Sequence, residues 1–326
     1  MLCIQHHSTD PYFNIATDEY IFKHIKEDCF MLWRNDNAII VGKHQNTLAE
    51  INLDYVKERA IKVVRRLSGG GAVYHDLGNL NFTFTRTSEK EDMVDFRRYT
   101  KPILEVLQSL DVDAKFEGRN DLTIEGKKFS GNAEHVFKNK VMHHGTLLFS
   151  SEMKDISGAL KVNPLKYQGR ATKSVPKRVT NISNHLREPL TLDAFTERIM
   201  NHILNTFPGA RKYKFTEADL EAIQKIRDEK YATWEWNFGR SPDYNFQRGA
   251  RIPGGTIEVH LDVHKGVIDK ARITGDFFHI RDIAPIEEAL CNIPHDEAAI
   301  HEALKAFDFS KYFKGITREE LMSVMF

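Results

Sequence analysis

Cysteine is scarce in this sequence, and long apolar runs are missing altogether. The 326 residues include three cysteines, Cys3, Cys29 and Cys291, which are widely spaced and form no CxxC pattern, so neither a disulfide framework nor a zinc site is indicated. No apolar stretch approaches the roughly 18 residues of a membrane span, and the first residues lack the basic and apolar segments of a secretory signal. We therefore expect a cytoplasmic protein with reduced thiols and no membrane partner.

An excess of charge of either sign is also missing. The 46 lysine and arginine residues balance the 46 aspartate and glutamate residues, so no global field directs the chain toward nucleic acid or anionic lipid. The hydrophobic share of 41% is ordinary for a folded protein. Because 326 residues exceed a typical single core, we expect one large domain and one small domain.

Helix and strand patterns are mixed in the N-terminal part of the chain. Apolar residues at helical spacing predict a helix over residues 14–27. Residues 30–33 and 38–41 have strand patterns on either side of a polar turn, which predicts a β-hairpin. Glu125-Gly126 lies between two further strand patterns, and its glycine tolerates the positive φ of a two-residue turn. Closely joined strands pair antiparallel, so the large domain is predicted to be α+β rather than doubly wound.

The C-terminal part has a different texture. Residues 238–243 are rich in turn formers, and two strand patterns follow at residues 255–264 and 267–274. Two short amphipathic helices are predicted after these strands. We therefore expect a large domain over residues 1–241 and a small α+β accessory domain over residues 242–326.

The densest functional signal is a glycine run between two strand patterns, Arg65-Arg-Leu-Ser-Gly-Gly-Gly-Ala-Val-Tyr-His-Asp76. Glycines allow backbone N–H groups to approach an anion closely, and arginine adds a bidentate contact to phosphate. A flexible hairpin loop is the alternative interpretation. Because neither the P-loop pattern nor GxGxxG is present, the common nucleotide-binding folds are not indicated.

Two further polar clusters follow the glycine run. Gly118-Arg-Asn-Asp121 precedes a strand pattern that contains Lys127 and Lys128, and only one of these lysines can face a shared cavity because strand side chains alternate. His143-His-Gly-Thr146 places histidine beside glycine in another strand pattern. Two surface lysines and a histidine in the core or at the surface are the alternative interpretations.

Taken together, these clusters resemble the lipoate-protein ligase family over almost the whole chain. The resemblance is carried by residues 66–76, 118–121, 128–131 and 143–146, and by Trp234-Glu-Trp-Asn-Phe-Gly239. It implies a catalytic domain related to biotin ligases and class II aminoacyl-tRNA synthetases, with a mixed, largely antiparallel sheet and flanking helices. The small C-terminal domain is similar to the accessory domain of two-domain members.

The resemblance also implies roles for individual residues. ATP is expected to contact residues of the glycine run, of the Gly118–Asp121 cluster and of the strand that follows it: Arg66, Gly71, Ala72, Val73, Tyr74, Asn120, Asp121 and Lys128. Lipoate is expected to contact Lys128, Arg66, Ser68, His144 and Gly145. Lys128 is the expected catalytic residue, between the lipoate carboxylate and the α-phosphate, and Asp121 is the expected ligand of Mg²⁺.

The expected reaction is the ATP-dependent formation of lipoyl-AMP with release of pyrophosphate, followed by transfer of the lipoyl group to a lysine. The expected acceptors are lipoyl domains of 2-oxoacid dehydrogenase acyltransferase subunits and the glycine cleavage H protein. A basic segment at residues 166–181 is similar to one that folds over the adenylate in the family, and a solvated loop is its alternative interpretation.

Three rival functions are weighed against this reaction. An octanoyl or lipoyl transferase of the same fold needs a reactive cysteine, and sequence order places none of the three beside Lys128. A biotin ligase is disfavoured because its arginine-rich glycine loop is absent. A lipoate-binding module without turnover is disfavoured by the intact Arg66, glycine run and Lys128.

Overall fold

The computed structural model describes residues 1–45, 47–87, 94–160, 179–233, 235–239, 246–264, 267–295 and 297–325. Most of the basic segment, residues 166–178, lies outside the described residues, as do Trp234 and residues 240–243 of the expected domain boundary. None of the helices within the described ranges is both long enough and apolar enough to cross a membrane.

The strands and helices are numbered in chain order. The strands before the C-terminal part are β1 (Leu2–Gln5), β2 (Cys29–Trp33), β3 (Ala38–Val41), β4 (Lys62–Arg65), β5 (Val73–His75), β6 (Asn79–Thr87), β7 (Ala114–Glu117), β8 (Asp121–Ile124), β9 (Lys127–Phe137), β10 (Lys140–Leu148) and β11 (Arg211–Tyr213). The helices among them are α1 (Pro11–Lys23), α2 (Thr47–Glu50), α3 (Leu53–Glu58), α4 (Phe96–Ser109), α5 (Met153–Ala159), α6 (Leu192–Thr206) and α7 (Glu217–Ile226).

An eight-stranded mixed sheet forms the centre of this part of the molecule, in the order β11-β1-β2-β6-β10-β9-β8-β7. The strands β11, β1 and β2 pair parallel, and the remaining pairs are antiparallel. A second sheet, in the order β4-β3-β5, combines one parallel and one antiparallel pair. The predicted α+β domain with a mixed, largely antiparallel sheet is confirmed.

Strand alternation gives the large sheet two different faces. On one face, Leu80, Phe82 and Phe84 of β6 join a core with residues of α4 and α6, such as Ile103 and Ile199. The polar residues between them, among which Asn81 and Thr83 are buried, lie on the opposite face. That second face packs against α1 and α7, where Ile15, Met31 and Ile223 belong to another core.

Two of the main helices begin at residues that favour a helix start. Pro11 is the first residue of α1, where its fixed φ is suitable and its missing N–H is not needed. The Thr216 hydroxyl accepts from Asp219 N, and the Asp219 side chain accepts from Thr216 N, so a capping box begins α7. The predicted turn at Glu125-Gly126 is also confirmed, since both residues have positive φ, 52° and 70°, between β8 and β9.

The hairpin predicted for residues 30–33 and 38–41 is wrong. The first segment is β2, which pairs with β1 and β6 in the large sheet, whereas the second is β3 of the small sheet. The connection is held by other elements, because Asn14 Nδ2 donates to Arg34 O (2.7 Å) and Asn35 Nδ2 contacts His75 Nδ1 (3.0 Å). A polar turn of this composition therefore carries the chain from one sheet to the other.

The C-terminal part contains a third sheet and its own core. Strands β12 (Phe246–Ile252), β13 (Gly255–His264) and β14 (Val267–Gly275) pair antiparallel, and α8 (Ala284–Ala289), α9 (Glu297–Leu304) and α10 (Arg318–Met325) follow. Apolar side chains from these elements, from Phe246 to Met325, form a separate core. The predicted small α+β unit is therefore present.

Candidate active site

A cleft of about 630 Å³, including its open mouth, lies between the large sheet and the small β4-β3-β5 sheet. We call it the central cleft. Its lining comes from α1, β2, β3, the glycine run, β6 and the strands β9 and β10: Ile15, Trp33, Ile40, Arg66, Gly70, Gly71, Ala72, Val73, His75, Asn81, Asn120, Lys128, Gly131, Asn132, Ala133, His144, Gly145 and Thr146. The lining combines apolar side chains, such as Trp33 and Ile40, with the cations of Arg66 and Lys128.

The glycine run is shaped from beneath by Arg66. The Arg66 guanidinium donates to Gly69 O (2.6 Å), Gly71 O (2.9 Å) and Ile40 O (3.0 Å). Because these carbonyl groups turn toward the arginine, the loop is closed around a buried cation. Burial lowers the pKa of Arg66 to about 10, so the guanidinium keeps its charge at neutral pH.

Two glycines of this region have close backbone neighbours. A Cβ at Gly69 would lie 2.2 Å from Phe277 O, and a Cβ at Gly42 would lie 2.0 Å from Gly70 O. Gly70 has φ +91°, a conformation that side chains disfavour. The glycine run is therefore packed tightly on both sides rather than being an open flexible loop.

Lys128 lies on β9 and lines the central cleft. Its neighbour Lys127 is exposed and is not part of the lining, as strand alternation predicts. Lys128 Nζ is 2.6 Å from Asp121 Oδ1, and both side chains are more than a third exposed. A Cβ at Gly131 would lie 3.0 Å from Lys128 Nζ, so glycine leaves room for the ammonium group. The cation is thus accessible to a ligand and held by one carboxylate.

Asn120 and Asn132 close the floor of the cleft beside Lys128. Asn120 Nδ2 donates to Asn132 O (2.5 Å), and Asn132 Nδ2 donates to Asn120 O (3.0 Å). A Cβ at Gly145 would lie 2.2 Å from Asn132 Oδ1 and 2.5 Å from the Phe82 ring. Glycine at position 145 is therefore required for the two strands to carry these side chains together.

His144 lines the cleft with a buried carboxylate behind it. His144 Nδ1 is 2.9 Å from Asp18 Oδ2, and His144 Nε2 is 2.5 Å from Ser68 Oγ. Ser68 also accepts from Arg66 Nε at 2.9 Å. This series of contacts links α1, β10 and the glycine run.

Two nitrogen atoms of the lining have no hydrogen-bond partner within the described part of the chain: His75 Nε2 and Asn81 Nδ2. Burial lowers the pKa of His75 to about 3, with a smaller contribution from the Arg66 cation. A neutral imidazole and an amide can therefore offer hydrogen bonds to a polar ligand atom.

Most of the predicted site residues meet at this cleft. Its lining includes eight of them, Arg66, Gly71, Ala72, Val73, Asn120, Lys128, His144 and Gly145. Ser68 lies behind the lining, bonded to His144, and Asp121 contacts Lys128. The Tyr74 hydroxyl donates to Asn37 Oδ1 at 3.0 Å, away from the cleft.

Several residues of the site gave no signal in the sequence. Asp18 is one acidic residue in a helix, and Asn132 is one amide in a strand, so neither stands out by type or spacing. Trp33, which belongs to none of the polar clusters, also lines the cleft. Among the described residues, no group of three potential His, Cys, Asp or Glu ligands could hold a metal ion.

The C-terminal part touches both polar segments of the site. Arg119 donates to Gly254 O and lies over the Phe278 ring, 4.4 Å from its centroid. Gly275 N donates to His44 O (2.6 Å), and His44 Nε2 contacts His279 Nδ1 (3.0 Å). The small unit is therefore packed against the back of the glycine run and against the Gly118–Asp121 turn.

The three cysteines are distant from this chemistry. Cys3 and Cys29 are buried, and burial raises the pKa of both thiols, that of Cys29 to about 11. Cys291 Sγ donates to Glu287 O at 3.4 Å in the C-terminal part. None of the three belongs to the described lining of the central cleft.

Comparison with known families assigns the class. The "Lipoyl protein ligase A/B catalytic domain" matches residues 10–204, and the "Bacterial lipoate protein ligase C-terminus" matches residues 241–325. The fold and the cleft are thus those of a lipoyl ligase catalytic domain that is followed by the C-terminal domain of the bacterial enzymes.

The relatives narrow this class. The chain is 43% identical to Lipoate--protein ligase 1 of Staphylococcus aureus, with 97% of each chain covered. It is 41% identical to Lipoate-protein ligase LplJ of Bacillus subtilis, again with 97% of each covered. The chain belongs to the lipoate-protein ligase family.

Solved structures agree on the fold. P. falciparum LipL1 in complex with lipoate has a TM-score of 0.78 at 24% identity, with 94% of each chain covered. A bipartite lipoate protein ligase from Thermoplasma acidophilum has a TM-score of 0.66 at 28% identity, covering 75% of this chain and 98% of that one. A lipoate-protein ligase A bound with ATP has a TM-score of 0.65 at 27% identity, covering 73% and 98%.

Proposed function

We propose that this protein activates lipoate with ATP to form lipoyl-AMP and then transfers the lipoyl group to a lysine of an acceptor protein. The proposal is carried by the composition of the central cleft, where the Lys128 cation shares the lining with Gly70 and Gly71 of the glycine run and with apolar side chains. An apolar chain can lie against Trp33, Ile40 and Val73 while its carboxylate approaches the lysine.

In the first step, a lipoate carboxylate oxygen attacks the α-phosphorus of ATP, and the bond from that phosphorus to the bridging oxygen of pyrophosphate breaks. Two anions must meet, so a cation directed at the developing charge lowers the barrier. Lys128 is that cation, and the Asp121 carboxylate at 2.6 Å orients it before substrates bind. The backbone at Gly71, Ala72 and Val73, shaped by Arg66, holds the nucleotide.

ATP enters as its Mg²⁺ complex in this proposal. Mg²⁺ is commonly held by one or two carboxylates together with substrate phosphates and water. Asp121 supplies a carboxylate beside Lys128, and Asn120 supplies an amide oxygen in the lining of the cleft. This donor set fits a phosphate-bound ion. When bound, the ion neutralises charge on the pyrophosphate leaving group.

In the second step, the amine of the acceptor lysine attacks the carbonyl carbon of lipoyl-AMP. The bond between that carbon and the phosphate oxygen breaks, AMP leaves, and the amine loses a proton. Because lipoyl-AMP is already a mixed anhydride, no enzyme nucleophile is needed. His75 Nε2 and Asn81 Nδ2, which lack partners among the described residues, are available for hydrogen bonds to the carbonyl or the ribose.

We propose lipoyl domains of 2-oxoacid dehydrogenase acyltransferase subunits and the glycine cleavage H protein as acceptors, in the cytoplasm. The Thermoplasma acidophilum ligase in the comparison is described with its E2 lipoyl domain, which supports the first class. Residues 1–241 are the proposed catalytic domain and residues 242–326 the accessory domain, in agreement with a separate apolar core after residue 246.

The deciding experiment is ATP–pyrophosphate exchange by the purified protein with Mg²⁺, with and without lipoate. A lipoyl domain is then added, and its mass is measured. We expect exchange only with lipoate and a mass increase of one lipoyl group on the domain. Without lipoate-dependent exchange, the ligase proposal fails, and acyl transfer from a carrier thioester would establish the transferase instead.

The transferase alternative makes an opposite prediction for the cysteines. We expect Cys3→Ala, Cys29→Ala and Cys291→Ala, made singly, to retain exchange and lipoylation within about threefold of wild type. Cys3 and Cys29 are buried thiols whose pKa is raised by burial, which makes them poor nucleophiles, and Cys291 lies outside the described lining of the cleft. The measurement is the rate of domain lipoylation at equal folded protein. An inactive Cys291→Ala variant with normal thermal unfolding would contradict the ligase mechanism.

A further inference from the structure

The carboxylate of Asp18 is buried directly behind the wall of the central cleft. Asp18 lies on α1 one turn after Ile15, which lines the cleft, and is 2% exposed. Its Oδ2 accepts from His144 Nδ1 (2.9 Å), and its Oδ1 accepts from Thr83 Oγ1 (2.7 Å). His144 and Thr83 are paired across β10 and β6, so their side chains leave the same face of the sheet and meet one carboxylate.

The direction of each hydrogen bond follows from the groups involved. A carboxylate only accepts, so His144 carries its proton on Nδ1. In the neutral ring, Nε2 is then an acceptor, and the Ser68 hydroxyl donates to it at 2.5 Å. Arg66 Nε in turn donates to Ser68 Oγ at 2.9 Å. In the series from the Arg66 cation through Ser68 and His144 to the Asp18 anion, each group therefore donates its hydrogen bond to the next one.

A second arm of the network leads to the indole of Trp33. Trp33 Nε1 donates to Thr83 Oγ1 at 3.0 Å, while the same hydroxyl donates to Asp18. Trp33 and Thr83 are 3% and 0% exposed, so water does not replace these contacts readily. One carboxylate thus orients two side chains of the cleft lining, Trp33 and His144.

We propose that Asp18 is a positioning residue for the acyl substrate. It holds His144 in the Nδ1–H tautomer and, through Thr83, holds the Trp33 indole, so that the wall along the lipoate chain is formed before lipoate binds. Pre-ordering of these side chains reduces the entropy that binding must remove. The inference rests on the proposed function, because it assigns the apolar wall to lipoate.

The test is Asp18→Asn, which keeps the size of the side chain and reverses one hydrogen bond. The amide oxygen still accepts from Thr83, but the amide nitrogen now donates toward His144 Nδ1. The His144 proton must then move to Nε2, and Ser68 loses its acceptor. We expect KM for lipoate to rise about 10- to 100-fold, the range typical of outer hydrogen-bond partners, with KM for ATP unchanged.

The tautomer itself is measured by NMR on protein with ¹⁵N-labelled histidine. The signal that disappears in His144→Gln identifies the residue. In the wild type we expect Nδ1–H, and in Asp18→Asn we expect Nε2–H. This readout needs no turnover, so it tests the inference even if wild-type protein shows no lipoate-dependent exchange and the proposed function fails.

The matched control is Glu19→Gln on the same helix. Glu19 is also buried, but its carboxylate faces Lys23 and Lys230 rather than the cleft. The Glu19→Gln substitution should leave both the His144 tautomer and KM for lipoate unchanged. Thr83→Val separates the arms: it should raise KM for lipoate through Trp33 while His144 keeps Nδ1–H. An unchanged tautomer in Asp18→Asn, or an unchanged KM in both Asp18→Asn and Thr83→Val, would overturn the inference.

Discussion

Replacement of Lys128 by alanine should lower lipoate-dependent ATP–pyrophosphate exchange by about 10³-fold, in line with the loss of one well-placed charge-stabilising group. Lys128 lines the central cleft together with the glycine run and with apolar side chains. Without it, the carboxylate must approach the α-phosphate with its charge uncompensated. The measurement is the exchange rate at saturating lipoate and ATP.

The same change should leave the fold intact. The Lys128 side chain is 40% exposed and pairs with Asp121, a contact that contributes about 0–1 kcal/mol at the surface. Lys127→Ala is the matched control, because this lysine is the next residue in the same strand and is exposed on the other side. Normal exchange in Lys128→Ala, or an equal loss in Lys127→Ala, would refute the assignment of Lys128.

Replacement of Arg65 by methionine should lower the free energy of unfolding by about 3–5 kcal/mol, because several buried acceptors lose a charged donor. Arg65 is 0% exposed, and its guanidinium donates to protein oxygens: Gly42 O, Lys43 O, Gln45 O, Thr47 Oγ1, Trp236 O and Asn237 O. These acceptors come from two distant parts of the chain, so Arg65 joins the segment after β3 to residues 236 and 237.

Urea unfolding of the variant and wild type measures this difference. Arg211→Met is the control, since the Arg211 side chain is 58% exposed and pairs with Glu27 at the surface. The urea midpoint of this variant should stay close to that of the wild type, because an exposed ion pair contributes little to stability. If Arg65→Met unfolds at the same urea concentration as the control, Arg65 does not have the structural role that its contacts indicate.

The two neighbouring arginines have different surroundings, although the motif places them side by side. The sequence places Arg65 and Arg66 at the entrance of a glycine run, which indicated phosphate contacts. In the structure, Arg65 is outside the described lining of the cleft. Arg66 lines the cleft and also donates to carbonyl groups of the loop. Residue type and spacing cannot tell an arginine that binds a ligand from one that shapes the binding loop, because both need the same donors.

Strand pairing was predictable from the local sequence at one turn and not at another. The turn at Glu125-Gly126 was predictable, because two residues with positive φ select a tight hairpin locally. The turn after Trp33 was not, because its strands β2 and β3 enter different sheets. Their partners are chosen by distant segments, and a polar connection of four residues permits either outcome.

The sequence by itself determined the elements with a local cause and the clusters of polar residues with a shared chemistry. The Glu125-Gly126 turn, the α+β class and the residues around Lys128 all follow from neighbours in the chain, although the first helix begins at Pro11 rather than at the predicted residue 14. Only the tertiary structure decided which polar side chains share a cavity and which stand behind it. Asp18 lies 126 positions before His144 and acquires its role solely because α1 packs on the polar face of the large sheet, where a buried carboxylate must find donors.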